Sequence, residues 1–267
     1  MTQITSRQNL KIKQIRALRQ RKHRAAQGLF VVEGIRHVGE AVEAGAPLEY
    51  LLYAPDLLTS SYAHNLIQKI SRMNTPVFTT TAEIFISLTE KEHPQGILAV
   101  AHQNLSNLDQ LNPINFLWGI ALVSPQDPGN LGAILRTIDA AGADGLMVLE
   151  NSVDIFHPTA VRASMGALFW KPVVYTSFKE FSSWVAANRY HVYASSTHGE
   201  TYYTEAAYIS PAILLMGSER EGLTKDQSEI CEMVVRLPMK GRTTSLNLSV
   251  SAGILLYQMQ RDLGETA

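Results

Sequence analysis

The chain has 267 residues, a formal net charge of −1 and a hydrophobic fraction of 46%. This length allows two compact domains or one large domain with a full core, and no apolar run approaches the ~18 residues that predict a membrane span. Cys231 is the only cysteine, which excludes a disulfide framework and a cysteine-rich zinc site. Because the N-terminus also lacks the apolar segment of a signal peptide, we expect a cytoplasmic protein.

The charge is distributed unevenly along the chain. Eight of the 23 Lys and Arg residues lie within residues 1–24, which contain no acid, and the remainder carries 24 acidic residues. A cationic segment on an otherwise anionic protein favours a polyanionic partner such as RNA. We therefore expect this segment to contact phosphates, with a solvated surface helix as the alternative.

The N-terminal third alternates helical and strand-like patterns. We predict a first helix over residues 7–22, with Leu10, Ile15 and Leu18 as its apolar stripe. The segments that follow are strands at 29–32, 48–53, 77–80 and 96–101 and helices near 36–44, 61–72 and 82–88. This alternation predicts an α/β unit, and the polar stretch after it, which contains Pro113, predicts a linker.

The C-terminal part begins with a continuous apolar run, residues 117–123, which is typical of a strand buried on both faces of a sheet. The segments that follow are helices near 130–141, 158–166, 178–187 and 246–261, a short helix after Leu223, and strands at 145–149, 172–175, 191–195, 212–217 and 233–238. Ser245 is placed to cap the last helix. An apolar stripe on that helix must pack on the sheet or on a partner; it consists of Leu246, Val250, Ile254 and Tyr257.

Three segments carry small and polar residues where a strand should end. They read SPQDPGNLGAILRTIDAAG (124–142), AILLMGSEREGL (212–223) and VRLPMKGRTTSLNLSVSAGI (235–254). In open α/β sheets, ligands bind outside the carboxyl ends of the strands. The polar residues at these ends therefore predict one shared pocket; they are Asn130, Arg136, Glu219, Ser245 and Asn247.

The spacing alone leaves structural alternatives open for these residues. Arg136 could pair with Asp139 or Asp144, which lie nearby in the sequence. Glu219 could simply be a carboxylate that a helix macrodipole favours. Asn247 could be an ordinary residue of a first helical turn.

Together the segments resemble the SpoU/TrmH family of RNA ribose 2′-O-methyltransferases, a branch of the knotted SPOUT superfamily. The motif Asn-x-Gly-x-x-x-Arg is matched by Asn130, Gly132 and Arg136, and Gly-x-Glu-x-x-Gly is matched by Gly217, Glu219 and Gly222. A Pro-Met pair followed by Ser-Leu-Asn-x-Ser is matched by Pro238, Met239, Ser245, Leu246, Asn247 and Ser249. The resemblance is strong over residues 117–262 and weaker at 30–41 and 94–100.

This resemblance implies a fold, a reaction and a methyl donor. The implied fold is an L30e-like α/β domain at 1–104, a linker at 105–114 and a knotted α/β SPOUT domain with a mainly parallel sheet at 115–267. S-adenosylmethionine is the implied cofactor, and RNA is the implied substrate, with 23S ribosomal RNA favoured by the N-terminal domain. A transfer-RNA methyltransferase and a non-catalytic RNA-binding protein are the alternatives. The family's dimeric habit implies a homodimer built through the C-terminal domain.

The resemblance also implies residue roles. The implied catalytic group is Arg136, Asn130, Glu219, Asn247 and Ser245, and the implied cofactor-binding group is Gly217, Leu237, Met239, Leu246 and Ser245. Arg136 would activate the ribose hydroxyl, either as a base or as a cation that binds a phosphate and stabilises the developing alkoxide. A guanidinium is protonated in proteins, so the first route would require an unusual environment. Methyl displacement needs chiefly alignment, and we expect no metal.

Other residues carry weaker expectations. Gly-x-Gly-x-x-Gly after the first strand and Gly-x₄-Gly-Lys-Ser/Thr are both absent, which argues against a dinucleotide-dependent dehydrogenase and a P-loop hydrolase. Arg162 lies in VRASMGALF (161–169), which resembles a segment that borders the family's pocket, and could contact RNA or lie on a surface helix. We expect Cys231 to be a small buried hydrophobe and the tryptophans to be core residues; they are Trp118, Trp170 and Trp184.

Overall fold

The computed structural model describes residues 2–263, which form two compact units. The first unit holds the chain up to Asn104 together with Phe156–Phe169. The second unit holds Leu105–Ile155 and the chain from Trp170 onward, so it includes the predicted linker. The segment 156–169, which the sequence places in the C-terminal domain, is grouped with the N-terminal unit by its contacts. These include Phe156, whose ring centroid lies 4.8 Å from that of Phe30.

The first unit is built on a five-stranded mixed sheet. Its strands are β1 (Thr2–Ile4), β2 (Leu29–Glu33), β3 (Leu48–Tyr53), β4 (Val77–Thr80) and β5 (Ile97–His102). Its first helices are α1 (Leu10–Ala17), α2 (Arg21–Gln27), α3 (Ile35–Glu43), α4 (Ser61–Arg72) and α5 (Ala82–Ile86). The strand order is β1-β4-β3-β5-β2, and β5 runs antiparallel to both of its neighbours. The short strand β1 has no counterpart among the predicted elements.

The predicted helix over residues 7–22 is two helices in the structure. The chain leaves the helix after α1 and starts α2 at Arg21. The Arg24 side chain donates hydrogen bonds to the carbonyls of Leu18 and Arg19 at 2.9 and 2.7 Å. These bonds satisfy carbonyl groups that a helix end otherwise leaves without partners, so Arg24 stabilises the break.

The apolar stripe of this segment also differs from the prediction. Leu10 is 81% exposed, whereas Ile12, Ile15 and Leu18 are almost completely buried. These three residues repeat at a spacing that places them on one helical face, and they pack with Tyr50 and other residues of the sheet. Leu10 lies at the first position of α1 and outside that face.

Most cationic groups of residues 7–24 have partners within the first unit. The contacts are Arg7 with Glu83 at 2.6 Å, Arg16 with Ser87 at 2.9 Å, Arg19 with Glu90 at 3.8 Å, and Lys11 over the rings of Tyr50 and Phe78 at 4.1 and 4.6 Å. Arg24 is only 2% exposed. The segment is therefore a packed part of the unit and not a solvated helix, and its contact with phosphates stays a prediction. Lys13 and Lys22 are exposed and form no ion pair within residues 2–263.

The second unit is built on a seven-stranded sheet whose strands pair in parallel. The strands are β6 (Trp118–Val123), β7 (Leu146–Leu149), β8 (Val173–Thr176), β9 (His191–Ser195), β10 (Thr201–Tyr202), β11 (Ala212–Met216) and β12 (Met233–Arg236). The remaining helices are α6 (Pro128–Ala140), α7 (Pro158–Ala163, in the first unit), α8 (Phe178–Ala187), α9 (Lys225–Glu229) and α10 (Leu248–Leu263). The strand order is β10-β12-β9-β11-β6-β7-β8, and the predicted α/β fold with a mainly parallel sheet is confirmed.

The register of this sheet aligns the carboxyl ends of its central strands. Leu122 of β6 pairs with Met216 of β11, and Met216 also pairs with Ser195 of β9. Val235 of β12 pairs with the same Ser195. The loops that follow β6, β11 and β12 therefore start at one edge of the sheet, and these loops carry the three motifs. Because β6 and β11 are buried along their whole length, this edge rests on a closely packed core.

Three residue-level expectations have different outcomes. Trp118 and Trp184 are buried, as predicted, but Trp170 is 43% exposed and donates to the Asp139 carboxylate at 2.8 Å. Cys231 is half-buried, and burial raises the pKa of its thiol to about 12. No helix of residues 2–263 has both the length and the apolar character needed to span a bilayer.

Candidate active site

The first motif lies where β6 leads into α6. Pro128 occupies the first turn of α6, and Asp127 is its N-cap. The Asp127 carboxylate accepts a hydrogen bond from the backbone N–H of Asn130 at 2.8 Å, which satisfies one of the free donors of the first turn. The helix therefore starts at Pro128 and not at Asn130. Since Asp127 holds its backbone, the Asn130 side chain is available for other partners.

Hydrogen bonds join side chains from all three motifs. Asn130 Nδ2 donates to Glu219 Oε1 at 3.1 Å, and Asn247 Nδ2 donates to Asn130 Oδ1 at 3.0 Å. The second Glu219 oxygen accepts from the backbone N–H of Gln126 at 3.2 Å. We call Asn130, Glu219 and Asn247 the amide–carboxylate network. It connects the first turn of α6, the loop after β11 and the start of α10.

Asn247 also begins the last helix. Its Oδ1 accepts hydrogen bonds from the backbone N–H and the hydroxyl of Ser249 at 2.8 and 2.7 Å. Its carbonyl accepts from the backbone N–H of Ser251 at 3.0 Å. Asn247 is therefore the N-cap, and α10 begins at Leu248. The prediction that Ser245 caps this helix was wrong, because a capping side chain must adjoin the first turn; Ser245 lies exposed in the preceding loop.

Arg136 shares α6 with Asn130 but lies outside the network. Six residues advance an α-helix by ~9 Å and by about one and two-thirds turns, so the two side chains leave α6 from different faces. The Arg136 side chain is exposed and forms no ion pair with any carboxylate of residues 2–263. Its charge is therefore available to a phosphate.

The two acids that could have neutralised Arg136 have other partners. Asp139 accepts from Trp170 and forms an ion pair with Lys171 at 3.7 Å. Asp144 accepts hydrogen bonds from two backbone N–H groups at the start of β6. The contacts of Asp139 and Asp144 therefore do not support an ion pair of either acid with Arg136.

The second motif forms a tight loop after β11. Gly222 has a φ of 67°, and its N–H donates to the Ser218 carbonyl at 3.1 Å. A Cβ on Gly217 would lie 2.1 Å from the carbonyl carbon of Gly222, so no larger residue could occupy that position without moving the backbone. Gly217 allows the two ends of the loop to meet. The loop in turn presents Glu219 to the network.

Most of the residues expected to hold S-adenosylmethionine lie on the irregular segment between β12 and α10. Leu237 and Met239 are half-buried, Leu246 is 39% exposed and Ser245 is exposed. Apolar side chains can sandwich an adenine ring, and backbone groups of irregular segments can read its polar edge. Together with the backbone-built turn at Gly217, this set fits S-adenosylmethionine. No cluster of three His, Cys, Asp or Glu side chains suited to a metal occurs within the described part of the chain.

The last helix buries one face against α6 and exposes another. Leu255, Leu256 and Met259 are buried, and Gly253 approaches Thr137 of α6. Three members of the predicted apolar stripe lie on the exposed face of α10, whereas Leu246 lies before the helix begins. The members of the stripe and their exposed fractions are Leu246 at 39%, Val250 at 50%, Ile254 at 36% and Tyr257 at 52%.

Two residues that organise the site were not predicted from the sequence. Asp127 could have been found, because an acid followed by Pro128 is a typical helix start. Gln126 contributes only its backbone N–H to Glu219, and any residue except proline could do so. It therefore has no sequence signal.

Arg162 lies on α7, in the piece of chain that belongs to the first unit. Burial lowers the pKa of His37, and the positive charges of Lys91, Arg36 and Arg162 lower it further. The titratable and charged groups found near Arg162 therefore belong to the first unit.

The first unit also contains a cleft of about 560 Å³ between α3, the start of α4 and the loop before β5. Its polar lining includes Arg36, Glu40, Glu43, Tyr62 and Gln95. None of the predicted site residues lines this cleft, so the cleft is not part of the predicted site.

Two family models match the chain. The model described as the SpoU rRNA Methylase family matches residues 118–257. The model described as the MRM3-like substrate binding domain matches residues 9–99. The first match contains all three motifs, and the second lies within the first unit.

Named relatives and solved structures are similar over nearly the whole chain. A 23S rRNA (uridine(2479)-2′-O)-methyltransferase from Streptomyces viridochromogenes is 34% identical over 99% of this chain and 94% of its own. The 23S rRNA (guanosine(2553)-2′-O)-methyltransferase RlmP from Bacillus subtilis is 28% identical over 97% of this chain and 100% of its own. The crystal structure of an AdoMet-bound rRNA methyltransferase from Sinorhizobium meliloti has a TM-score of 0.89 and 32% identity, with 98% of both chains covered.

Proposed function

Because this chain belongs to the SpoU family of RNA ribose 2′-O-methyltransferases, we propose that it methylates a ribose 2′-hydroxyl of 23S ribosomal RNA. The enzyme class and S-adenosylmethionine as methyl donor are confirmed. The choice of RNA is the proposal. It is supported by two relatives whose names specify 23S rRNA and whose lengths this chain matches almost completely.

The amide–carboxylate network is the observation that carries this function. S-adenosylmethionine supplies a methyl group on a sulfonium, which is a good leaving group. The chain must therefore chiefly align the ribose hydroxyl, and alignment can contribute ~7–11 kcal/mol of the barrier. Asn130, Glu219 and Asn247 fix the first turn of α6, the loop after β11 and the start of α10 relative to one another. They hold the substrate side of the site in register with the cofactor side, which consists of Gly217, Leu237, Met239, Ser245 and Leu246.

Arg136 is the group that handles charge. A guanidinium stays protonated, and it binds phosphate through paired N–H donors. Its side chain is exposed and has no carboxylate partner within residues 2–263. Arg136 therefore acts as a cation that binds a phosphate beside the target ribose and stabilises the negative charge that develops on the ribose oxygen as its proton passes to water.

The second unit forms a homodimer through the exposed face of α10. Three large apolar residues of α10 lie on that face, namely Val250, Ile254 and Tyr257, and 36–52% of each is exposed. Such a contiguous patch is typical of an interaction surface, and a two-fold axis would place the same residues opposite themselves. Light scattering at micromolar concentration should report a dimer for the wild type and a monomer for Ile254→Glu. A monomeric wild type would contradict the proposal.

Two further expectations accompany this function. Ribosomal RNA as the substrate supports a cytoplasmic location. The trefoil knot and the domain limits 1–104 and 115–267 stay predictions from the family, because strand order and register do not specify how the chain threads.

The test is methyl transfer to RNA from a strain that lacks the gene. Purified 23S rRNA, 16S rRNA and tRNA are each incubated with labelled S-adenosylmethionine, with and without a chelator. We expect label only in 23S rRNA, unaffected by the chelator, in a nucleotide whose 3′ bond resists alkali. Label in tRNA would support the alternative substrate. Binding of S-adenosylmethionine and RNA without any transfer would support a non-catalytic RNA-binding protein.

A further inference from the structure

An arginine and a tyrosine meet at the same sheet edge as the motifs, on strands that lie two and three positions away from β11. Tyr202 of β10 pairs in register with Arg236 of β12, and both are the last residues of their strands. Neighbouring strands lie ~4.8 Å apart, so β12 lies about 10 Å from β11 and β10 about 14 Å from it. Arg236 is followed directly by Leu237, which belongs to the proposed cofactor group. The pair therefore flanks the methyl-transfer site.

The two side chains form a cation–π contact. The guanidinium carbon of Arg236 lies 4.4 Å from the centroid of the Tyr202 ring. The Nε of Arg236 is buried and has no hydrogen-bond partner, and no carboxylate of residues 2–263 pairs with this arginine. Within residues 2–263, the Tyr202 ring is therefore the partner of the Arg236 charge, and 39% of Tyr202 remains exposed.

The backbone around this pair is held in place. The N–H of Tyr203 donates to the Arg236 carbonyl at 3.1 Å, and the Tyr202 carbonyl accepts from Glu205 at 2.9 Å. A Cβ on Gly199 would lie 2.7 Å from the Val234 carbonyl oxygen, so the chain that leads to β10 passes directly against β12. The backbone that carries the tyrosine ring is therefore held against β12.

The charges of the segment indicate which part of an RNA it accepts. Glu200 and Glu205 lie on either side of β10 in the sequence and are exposed, so their carboxylates repel a phosphate. A nucleobase is neutral and stacks on aromatic rings and on guanidinium planes. The ring and the arginine together offer such a surface, whereas the adjoining carboxylates disfavour the RNA backbone.

We propose that Tyr202, supported by Arg236, is a stacking platform for an unpaired base of the substrate RNA next to the methylated nucleotide. This inference rests on the proposed RNA methylation and names a binding residue that lies outside the three motifs. The structural alternative is that the pair only covers the edge of the sheet. Any apolar side chain of similar size would then replace Tyr202.

The experiment compares Tyr202→Phe, Tyr202→Leu and Tyr202→Ala in the full chain, with 23S rRNA from the deletion strain as the probe. The phenylalanine keeps the aromatic face, and the leucine keeps only apolar bulk. We expect Tyr202→Leu and Tyr202→Ala to raise the KM for rRNA about 5- to 100-fold, the loss typical of one stacked base, while Tyr202→Phe stays near the wild type. The kcat at saturating rRNA and the Kd for S-adenosylmethionine should change less than twofold.

The matched control is Ile209→Ala, which removes an exposed apolar side chain from the same segment and should leave the KM unchanged. A KM for Tyr202→Leu equal to that of the wild type would overturn the proposal and support edge covering. So would an unchanged KM for Tyr202→Ala, or a Kd for S-adenosylmethionine that weakens as much as the KM for rRNA. If the wild type itself transfers no methyl group to 23S rRNA, the proposed function fails instead, whatever the behaviour of these variants.

Discussion

The cationic segment at residues 7–24 and the single Arg136 of α6 differ in how their charges are used. Most of the arginines in the segment bond to neighbours within the first unit, and Arg24 is buried against backbone carbonyls. Arg136 is exposed and has no ion pair within residues 2–263. A count of basic residues therefore overstates the phosphate-binding capacity of the segment. The position of one arginine within a motif is more informative, because the fold leaves that charge available.

The largest expected effect tests whether the charge of Arg136 contributes to methyl transfer. Arg136→Ala should lower kcat about 10²- to 10³-fold, the loss typical of removing one group that stabilises a developing oxyanion. The Kd for S-adenosylmethionine and the melting temperature should stay close to the wild type, because the side chain is exposed and forms no ion pair within residues 2–263. Single-turnover methyl transfer and isothermal titration measure the two quantities.

Arg136→Lys is the matched control for this prediction. A lysine keeps the charge but cannot form the paired N–H contacts of a guanidinium, so its kcat should lie between those of the wild type and Arg136→Ala. An unchanged single-turnover rate in the alanine variant would remove Arg136 from the catalytic group.

The second prediction tests the structural role of Arg24. Arg24→Met should lower the free energy of unfolding of the first unit by about 1–3 kcal/mol, because the carbonyls of Leu18 and Arg19 lose a buried donor. The Kd for S-adenosylmethionine should not change, since its proposed site lies in the second unit. Urea unfolding is the measurement, and Lys22→Met, at an exposed neighbouring position, should change stability by less than ~0.5 kcal/mol. Equal stabilities of the two variants would contradict a structural role for Arg24.

Deletion of residues 1–24 cannot serve as the test of phosphate binding. It would remove β1 together with Ile12, Ile15 and Leu18, which are core residues. We expect this truncation to unfold the first unit, so point substitutions are required.

The third prediction separates the two residues that were considered as the cap of α10. Asn247→Ala should cost about 1 kcal/mol of stability through the lost cap and should lower methyl transfer through the lost bond to Asn130. Ser245→Ala should leave stability unchanged, because Asn247 holds the first turn. Thermal unfolding of both variants distinguishes them. A larger loss of stability in Ser245→Ala than in Asn247→Ala would show that Ser245 is the N-cap of α10.

The smallest expected effect concerns the two exposed lysines of the cationic segment. If Lys13 and Lys22 contact phosphates, substitution of either one by glutamine should reduce the salt slope of rRNA binding by ~0.7, the value for one contact with a single strand. Arg7→Gln is the control, because its charge is paired with Glu83, and it should change the slope less. Unaltered slopes in both lysine variants would show that the RNA footprint lies elsewhere on the protein.

The sequence predicted the parallel sheet of the second unit well, because its strands are apolar runs bounded by turns. Strand 191–195 and helix 178–187 have the predicted bounds. It missed β1 and β10, since strands of three and two residues carry no periodicity. It also misplaced the starts of α6 and α10. Helix ends depend on which polar side chain reaches a free N–H, and several nearby residues in each loop could have done so.

The sequence indicated the three residues that the network joins, but it did not indicate how they contact one another. The motifs indicated Asn130, Glu219 and Asn247, and the fold joins them in one network. The hydrogen bond from the backbone of Gln126 and the cation–π contact of Arg236 could not be predicted. Each depends on the register of strands and loops that are distant in the sequence, and register is a property of the folded sheet.

The most direct test of the central claim is ribose-methylation mapping of total RNA from cells with and without the gene. We expect one 2′-O-methyl group to disappear from 23S rRNA in the deletion strain. It should return with the wild-type gene and stay absent with Arg136→Ala. A methylation pattern of 23S rRNA that is identical in the two strains, or loss of a ribose methyl group only from tRNA, would contradict the proposed function.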